Sequence, residues 1–227
     1  FYSGNEETGN ARVFVDYFQG VKESEWRIIG DNKTINPRVS LITLTSGDLS
    51  VTPISKLRAA LDSDVYIVFG SSYIKGWLSD YLVQKRAINI HMGVSPYYRG
   101  SSCNFWATYD FRPAYVGATV HLLSKGLDSG NILYHVLPDP AHCSSQFDFG
   151  MKAVRAAIDS VSPFLERFKI GDYSCLVQDR SLELRYSRKQ EFTEEVAKEF
   201  LSRDFDQKIF VKLVDEGRKN IPVVQVM

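Results

Sequence analysis

The stretch Ala87-Ile88-Asn89-Ile90-His91-Met92-Gly93-Val94-Ser95-Pro96-Tyr97-Tyr98-Arg99-Gly100 constrains this chain more than any other. It reads as a short buried strand that runs into a loop. Side chains two apart on a strand share a face. Ile88 and Ile90 thus point into an apolar layer, while Asn89 and His91 point the other way at the strand's C-terminal end. Upstream, Val65-Tyr66-Ile67-Val68-Phe69-Gly70 is a continuous apolar run, the pattern of a parallel strand covered on both faces. A helical pattern to about Gln84 separates the two runs. Strand, helix, strand predicts parallel neighbours joined by a right-handed crossover, and ligands of open α/β sheets bind beyond the C-terminal strand ends. There an amide can hydrogen-bond a developing oxyanion, and an imidazole can move a proton near neutral pH. The same two residues can equally be a polar pair that only ties down a loop.

A second stretch bears on that choice. Gly117-Ala118-Thr119-Val120-His121-Leu122-Leu123 reads as a strand, Ser124 to Gly130 as a Gly-punctuated turn, and Asn131 to Val136 as another strand. Asp128 lies between Gly126 and Gly130, where backbone can approach a ligand closely. Its carboxylate can orient His91 or hold a water; it can also be a turn aspartate bonded to its own backbone.

The remaining pattern predicts an α/β chain with a mostly parallel sheet and helices on its faces. Phe1 to Asn5 looks like the end of a strand whose first half, with its Met start, lies outside this sequence. The loop Gly4–Asn10 precedes a helix with Val13, Phe14, Tyr17 and Phe18 on its apolar face. Backbone N–H groups there could meet an anion, though Glu6 and Glu7 disfavour a phosphate loop. Strands are expected at Trp26–Gly30 and Val39–Leu44, and a helix at Pro53–Leu61. Ser101 or Ser102 can cap a helix through Phe105 and Trp106. A later helix carries Met151, Val154, Ile158, Val161, Leu165 and Phe168 on one stripe, with Pro163 as a kink and Gly171 at its end. From Ser181 the character changes: Leu182, Leu184 and Tyr186 alternate like an edge strand. Arg185, Arg188 and Lys189 form a basic cluster on a solvated face, and Thr193–Leu201 and Gln207–Glu216 read as amphipathic helices. The division is residues 1–180 as the main domain and 181–227 as a short C-terminal extension.

Composition narrows the partners. The formal net charge of zero argues against a broad polyanion surface. No apolar run reaches membrane-spanning length and no signal-peptide pattern opens the sequence. Three scattered cysteines (Cys103, Cys143, Cys175) suit a reducing cytoplasm better than a disulfide framework. His121, His135, His142 and Cys143 fit no zinc spacing, so no metal is expected.

Taken in order, Asn89-Ile90-His91, Pro96, Gly100, Gly117-Ala118-Thr119 and Gly126-Leu127-Asp128-Ser129-Gly130 resemble the folate-dependent formyltransferase family, from about Val65 to Val136. The resemblance implies a Rossmann-like fold and an enzyme that moves a formyl group from 10-formyltetrahydrofolate to a primary amine. It implies Asn89 as oxyanion donor, His91 as general base or proton relay, and Asp128 as the group that sets the His91 tautomer and favours its charged form. It places the folate's polar edge against Ser71, Ser72, Tyr73, Ile74 and the Lys125, Gly126, Leu127 turn.

Several acceptors occur in the family. The methionyl-tRNA enzymes add a basic C-terminal barrel, and the chain after Glu183 is too short for one. The glycinamide ribonucleotide enzymes carry a Gly-Asn-Gly-Ser-Asn loop, from which Gly4-Asn5-Glu6-Glu7-Thr8 departs. Arg99-Gly100-Ser101-Ser102-Cys103-Asn104-Phe105-Trp106 is similar to the short sugar N-formyltransferases. That favours a nucleotide-linked amino sugar, with Tyr97, Arg99, Asn104 and Trp106 as candidate acceptor contacts. Phe105 and Trp106 can instead be core. Nucleic acid and membrane are disfavoured as partners, and a homodimer stays open. A noncatalytic folate- or nucleotide-binding module of the same fold is the reading from another class.

Overall fold

The structure, a computed structural model, describes residues 9–30, 37–167 and 174–223, with the side chains of residues 9–11 excepted. The expected strand at Phe1–Asn5, residues Gly4 to Thr8 of the expected anion loop, Phe168 and Gly171 lie outside the described residues, while Gly9 and Asn10 of that loop are already helical.

The centre is a four-stranded sheet, β1 (Ile67–Phe69), β2 (Ile88–His91), β4 (Ala118–Leu122) and β5 (Ile132–Val136), in the order β1-β2-β4-β5. β1 and β2 are parallel, Ile67 beside Ile88, joined through helix α3 (Gly76–Gln84) as the strand-helix-strand pattern predicts. β4 and β5 turn back antiparallel, so the sheet is mixed rather than mostly parallel among the described residues. For β4 and β5 the short Gly-containing connection explains this: a turn of nine residues from Leu123 to Asn131 can join only antiparallel neighbours.

The two earlier expected strands are absent. Helix α1 (Gly9–Ile28) runs through Trp26, because its helical-period face continues past Tyr17 to Ser24. The Ser24 hydroxyl donates to buried Asp148 at 2.6 Å and Arg27 reaches the same carboxylate at 3.5 Å, which holds the last turns helical. Val39–Leu44 is exposed coil with no described strand beside it to satisfy its backbone. β1 is consequently an edge, and Ile67 and Phe69 are 45% and 41% exposed rather than covered on both faces.

Period-two alternation divides the sheet chemically. One face presents Ile88, Ile90, Ala118, Val120 and Tyr134 to helix α5 (Asp148–Arg167). That helix lies down on Ala153 and Ala157, with Phe149 and Phe164 at either end, rather than on the larger stripe through Ile158, which is half exposed. Alanines let the helix backbone approach the sheet closely. Burying such a face is worth roughly 25 cal/mol per Å² of apolar surface. The opposite face carries Asn89, His91, Thr119, His121 and His135, which the register places side by side.

Helix α2 (Ile54–Leu61) forms as its Ile54–Leu57–Leu61 spacing predicts, and with α3 buries Leu57, Leu78 and Leu82. After β2 the chain forms a short strand β3 (Tyr98–Gly100) and helix α4 (Cys103–Tyr109). Ser102 occupies the position before α4 at φ 56° but caps nothing with its side chain.

The segment from Ser181 packs into the same core. Strand β6 (Arg185–Ser187) pairs parallel with β3, Tyr98 beside Arg185. Helix α6 (Glu194–Leu201), capped by Thr193, packs on α1, where Tyr17 meets Phe192 and Phe200. Helix α7 (Gln207–Arg218), capped by Asp206, buries Phe210 and Val214 near Ala114. Among the described residues no helix is long and apolar enough to cross a membrane.

Candidate active site

The polar sheet face gives the site its geometry. Asn89 and His91 stand at the C-terminal end of β2, and the turn after β4 brings Asp128 to them. Asp128 sits at φ 46°, a left-handed conformation that aspartate tolerates better than most residues. Its Oδ1 lies 3.3 Å from His91 Nδ1, and both side chains are largely buried, His91 at 7% exposure. His91 Nε2 faces the Tyr98 carbonyl at 3.3 Å and the Cys103 side chain. Both ring nitrogens thus meet groups that accept hydrogen bonds. Burial lowers the His91 pKa, but Cys103 and the Asp128 carboxylate raise it more, so the net shift is upward to about 10. For Asp128, burial raises the pKa and the His91 partner outweighs it, so the net shift is downward. At neutral pH the two form an imidazolium–carboxylate pair.

His121 completes the arrangement, and sequence spacing showed only its strand position. Its Nδ1 lies 2.8 Å from the Leu122 carbonyl, which can only accept, so Nδ1 carries the hydrogen. Burial lowers its pKa to about 4 and keeps the ring neutral, so Nε2 offers a lone pair. Asn89 Nδ2 donates to that lone pair at 2.9 Å. This fixes the amide with its nitrogen toward His121 and leaves its second N–H for another acceptor.

Two further residues of the same face hold the loop after β2. The Thr119 hydroxyl donates to the Gly93 carbonyl at 2.6 Å and accepts from the Ser95 amide at 2.8 Å. His135 Nε2 lies 2.7 Å from the Ser95 carbonyl. The pairing of Gly117-Ala118-Thr119 with the Asn-x-His strand in the sequence thus has a structural cause.

The segments expected to meet a folate adjoin one another. Ser71, Ser72 and Tyr73 are exposed and Ile74 is buried. The Tyr73 hydroxyl donates to the Lys125 carbonyl, and Lys125 Nζ pairs with Asp80 at 2.7 Å. Gly126 and Leu127 continue this turn into Asp128 and are exposed.

The expected acceptor contacts separate into two groups. Asn104 borders an open cleft, and its Oδ1 accepts from the Gly117 amide at 3.0 Å. Tyr97 and Trp106 lie in the core at 6% and 2% exposure. Tyr97 packs on Tyr115, and the Arg185 guanidinium covers the Trp106 ring at 3.7 Å. Arg185 is therefore no part of a solvated face; it also pairs with Asp110 and Glu191. Arg99 is buried, with one nitrogen 2.8 Å from Glu183 and the other 2.9 Å from the Leu127 carbonyl. It ties the Asp128 turn to the C-terminal segment. Among the described residues no group of three His, Cys, Asp or Glu side chains could hold a metal ion.

No family model matches this sequence, and no curated protein matches it. Solved structures do match. The formyltransferase PseJ from Anoxybacillus kamchatkensis, in complex with UDP-4,6-dideoxy-4-formamido-L-AltNAc and tetrahydrofolate, superposes at a TM-score of 0.51 with 15% identity, over 93% of this chain and 94% of that one. A 4-N formyltransferase from Francisella tularensis superposes at 0.50 with 17% identity, over 77% of this chain and 74% of that one. The chain has the formyltransferase fold.

Proposed function

We propose, from that fold, that this protein is an N-formyltransferase: it moves the formyl group of 10-formyltetrahydrofolate to the primary amine of a nucleotide-linked amino sugar. The observation that carries the reading is the meeting of Asn89, His91 and Asp128 at the C-terminal end of β2. The solved relatives that share the fold include one holding tetrahydrofolate and a nucleotide-linked formamido sugar, which supports the donor and the acceptor class.

The chemistry follows from the protonation states. The amine attacks the formyl carbon and negative charge gathers on the formyl oxygen. The free N–H of Asn89 donates to that oxygen, a contact worth about 2.7–4 kcal/mol in the transition state. The imidazolium of His91 adds its charge in a site mostly closed to water. His91 acts here as a cation, since both ring nitrogens face acceptors. Asp128 receives the proton shed by the attacking amine, directly or through water, and the departing folate nitrogen takes one up, so the pair is restored. The turn from Lys125 to Leu127 and the segment Ser71–Ile74 hold the folate's polar edge. The segment from residue 181 closes this catalytic unit through β6 and Arg99. A reducing cytoplasm suits the three free cysteines.

The test is steady-state formyl transfer with 10-formyltetrahydrofolate and a panel of nucleotide-linked amino sugars. Wild type forms a formamide and releases tetrahydrofolate. In folded His91→Asn and Asp128→Asn proteins kcat falls by about 10²–10⁴. Near wild-type turnover in folded His91→Asn protein would remove His91 from the mechanism.

A further inference from the structure

A large cleft among the described residues opens beside the His91–Asp128 pair. It measures about 1160 Å³ and runs from Met92, Ser102 and Asn104 outward between α1, α5 and the turn before α6. Small-molecule sites commonly occupy about 300–1,000 Å³. Its inner end includes Met92, the residue that follows His91 at the end of β2, and flanks Cys103, which touches His91. Its walls are aromatic: Phe14 and Phe18 from α1, Phe105 from α4, and Phe147 ahead of α5. Phe18 is 49% exposed, so part of it is accessible to a ligand.

The charge in this cleft is one-sided. Arg188 and Lys189 line it and no acidic side chain does. Among the described residues neither cation has an ion-pair partner, whereas the adjacent Glu191 is engaged by Arg185 and by the Arg188 backbone amide. An aromatic wall beside two unpaired cations matches a ligand with a flat ring and an adjoining polyanion. Bases stack on aromatic faces without needing a particular hydrogen-bond pattern, and guanidinium and ammonium groups are the usual partners of phosphate oxygens.

We propose that this cleft binds the nucleoside diphosphate half of the acceptor, with its base against Phe18 and Phe14 and its diphosphate on Arg188 and Lys189. The sugar then points inward past Ser102 and Asn104, which delivers its amine to the His91 end. The assignment rests on the formyl-transfer reading for its substrate and adds the residues that choose it. The pair Arg188 and Lys189, which from sequence reads as a solvated basic face, becomes the acceptor's anion anchor.

Calorimetric titration with UDP, dTDP and inorganic pyrophosphate tests it, with 5-formyltetrahydrofolate titrated into the same preparations. Wild type binds UDP or dTDP. The R188A/K189A double variant, altered only at exposed side chains, weakens nucleotide and pyrophosphate binding tenfold or more and keeps its folate affinity. Phe18→Ala weakens nucleotide binding and leaves pyrophosphate binding unchanged. Nucleotide affinity indifferent to both cations, or no binding of either nucleotide at millimolar concentration, overturns the subsite. Folate is the separate arm. Loss of the double variant's nucleotide affinity in a protein that never binds 5-formyltetrahydrofolate supports the anion subsite and sinks formyl transfer. Tight folate binding beside a nucleotide affinity unmoved by the double variant does the reverse.

Discussion

At the level of single residues, the contact between His121 and Asn89 decides whether the site holds a directed donor. An amide whose nitrogen and oxygen can exchange places presents the wrong atom to an oxyanion part of the time. The chain Leu122 carbonyl, His121 ring, Asn89 amide removes that freedom. His121→Phe keeps the ring's bulk and deletes the acceptor. We expect kcat to fall by about 10²-fold through misorientation alone, with folate affinity retained; unchanged kcat would show that Asn89 needs no such support. The same ring controls acid stability. Its pKa drops from the usual 6.5 to about 4 on folding, mainly through burial. As pH falls through that window, the unfolded chain takes up a proton that the folded chain does not, and stability is lost. The urea midpoint of wild type should therefore decline between pH 6.5 and 4, and more shallowly in His121→Phe. His91 has the opposite sign: its raised pKa gives stability present in full below pH 6.5 and lost as pH rises through about 10. From sequence, His121 has a place within a strand, but Asn89 is not evident as its neighbour. That pairing depends on the β2–β4 register, which no local pattern encodes.

Elements differ in how openly the sequence declares them. Helices α2, α6 and α7 were legible because each carries an apolar face at helical spacing, and α6 and α7 carry an N-cap residue. β2 was legible by alternation. The apolar runs at Trp26 and Val39 misled, since a strand exists only with a partner, and tertiary contacts from Ser24 and Arg27 to Asp148 decide α1. The parallel pairing of β3 with β6 joins residues far apart in the chain and left only the alternation at Leu182–Tyr186 as a trace. Gly100 makes that pairing possible. Its φ is 90°, and a Cβ there would collide with the Ser187 carbonyl. Gly100→Ala should cost about 1–3 kcal/mol from backbone strain, with a further penalty from separating the strands. Urea unfolding followed by fluorescence would measure it; a midpoint equal to wild type would mean that β6 is not held there.

Over the whole molecule the charges balance, with 27 basic and 27 acidic residues. A protein that neutralises many phosphates loses affinity steeply with salt, by about 10³–10⁵ between 50 and 200 mM for six to ten contacts. With only Arg188 and Lys189 as cations lining the proposed acceptor cleft among the described residues, the salt dependence here should be shallow. Transfer rates on a nucleotide-linked amino sugar, measured across that range at subsaturating acceptor, should fall by roughly tenfold at most. Steep, salt-sensitive formylation of methionyl-tRNA, with none on amino sugars, would show a different acceptor. The α/β class and the candidate trio Asn89, His91 and Asp128 were readable because they lie in contiguous motifs, whereas the proposed acceptor cleft gathers residues from α1, α4 and the approach to α6. Arg99 also has a consequence in time. Its two contacts close separations of 28 and 84 residues, to Leu127 and Glu183. Contacts of such span form only after loop-closure entropy has been overcome. The tie between the Asp128 turn and the C-terminal segment is thus a late product of folding, and a nascent chain whose synthesis has not reached Glu183 holds that turn through the Arg99–Leu127 contact alone.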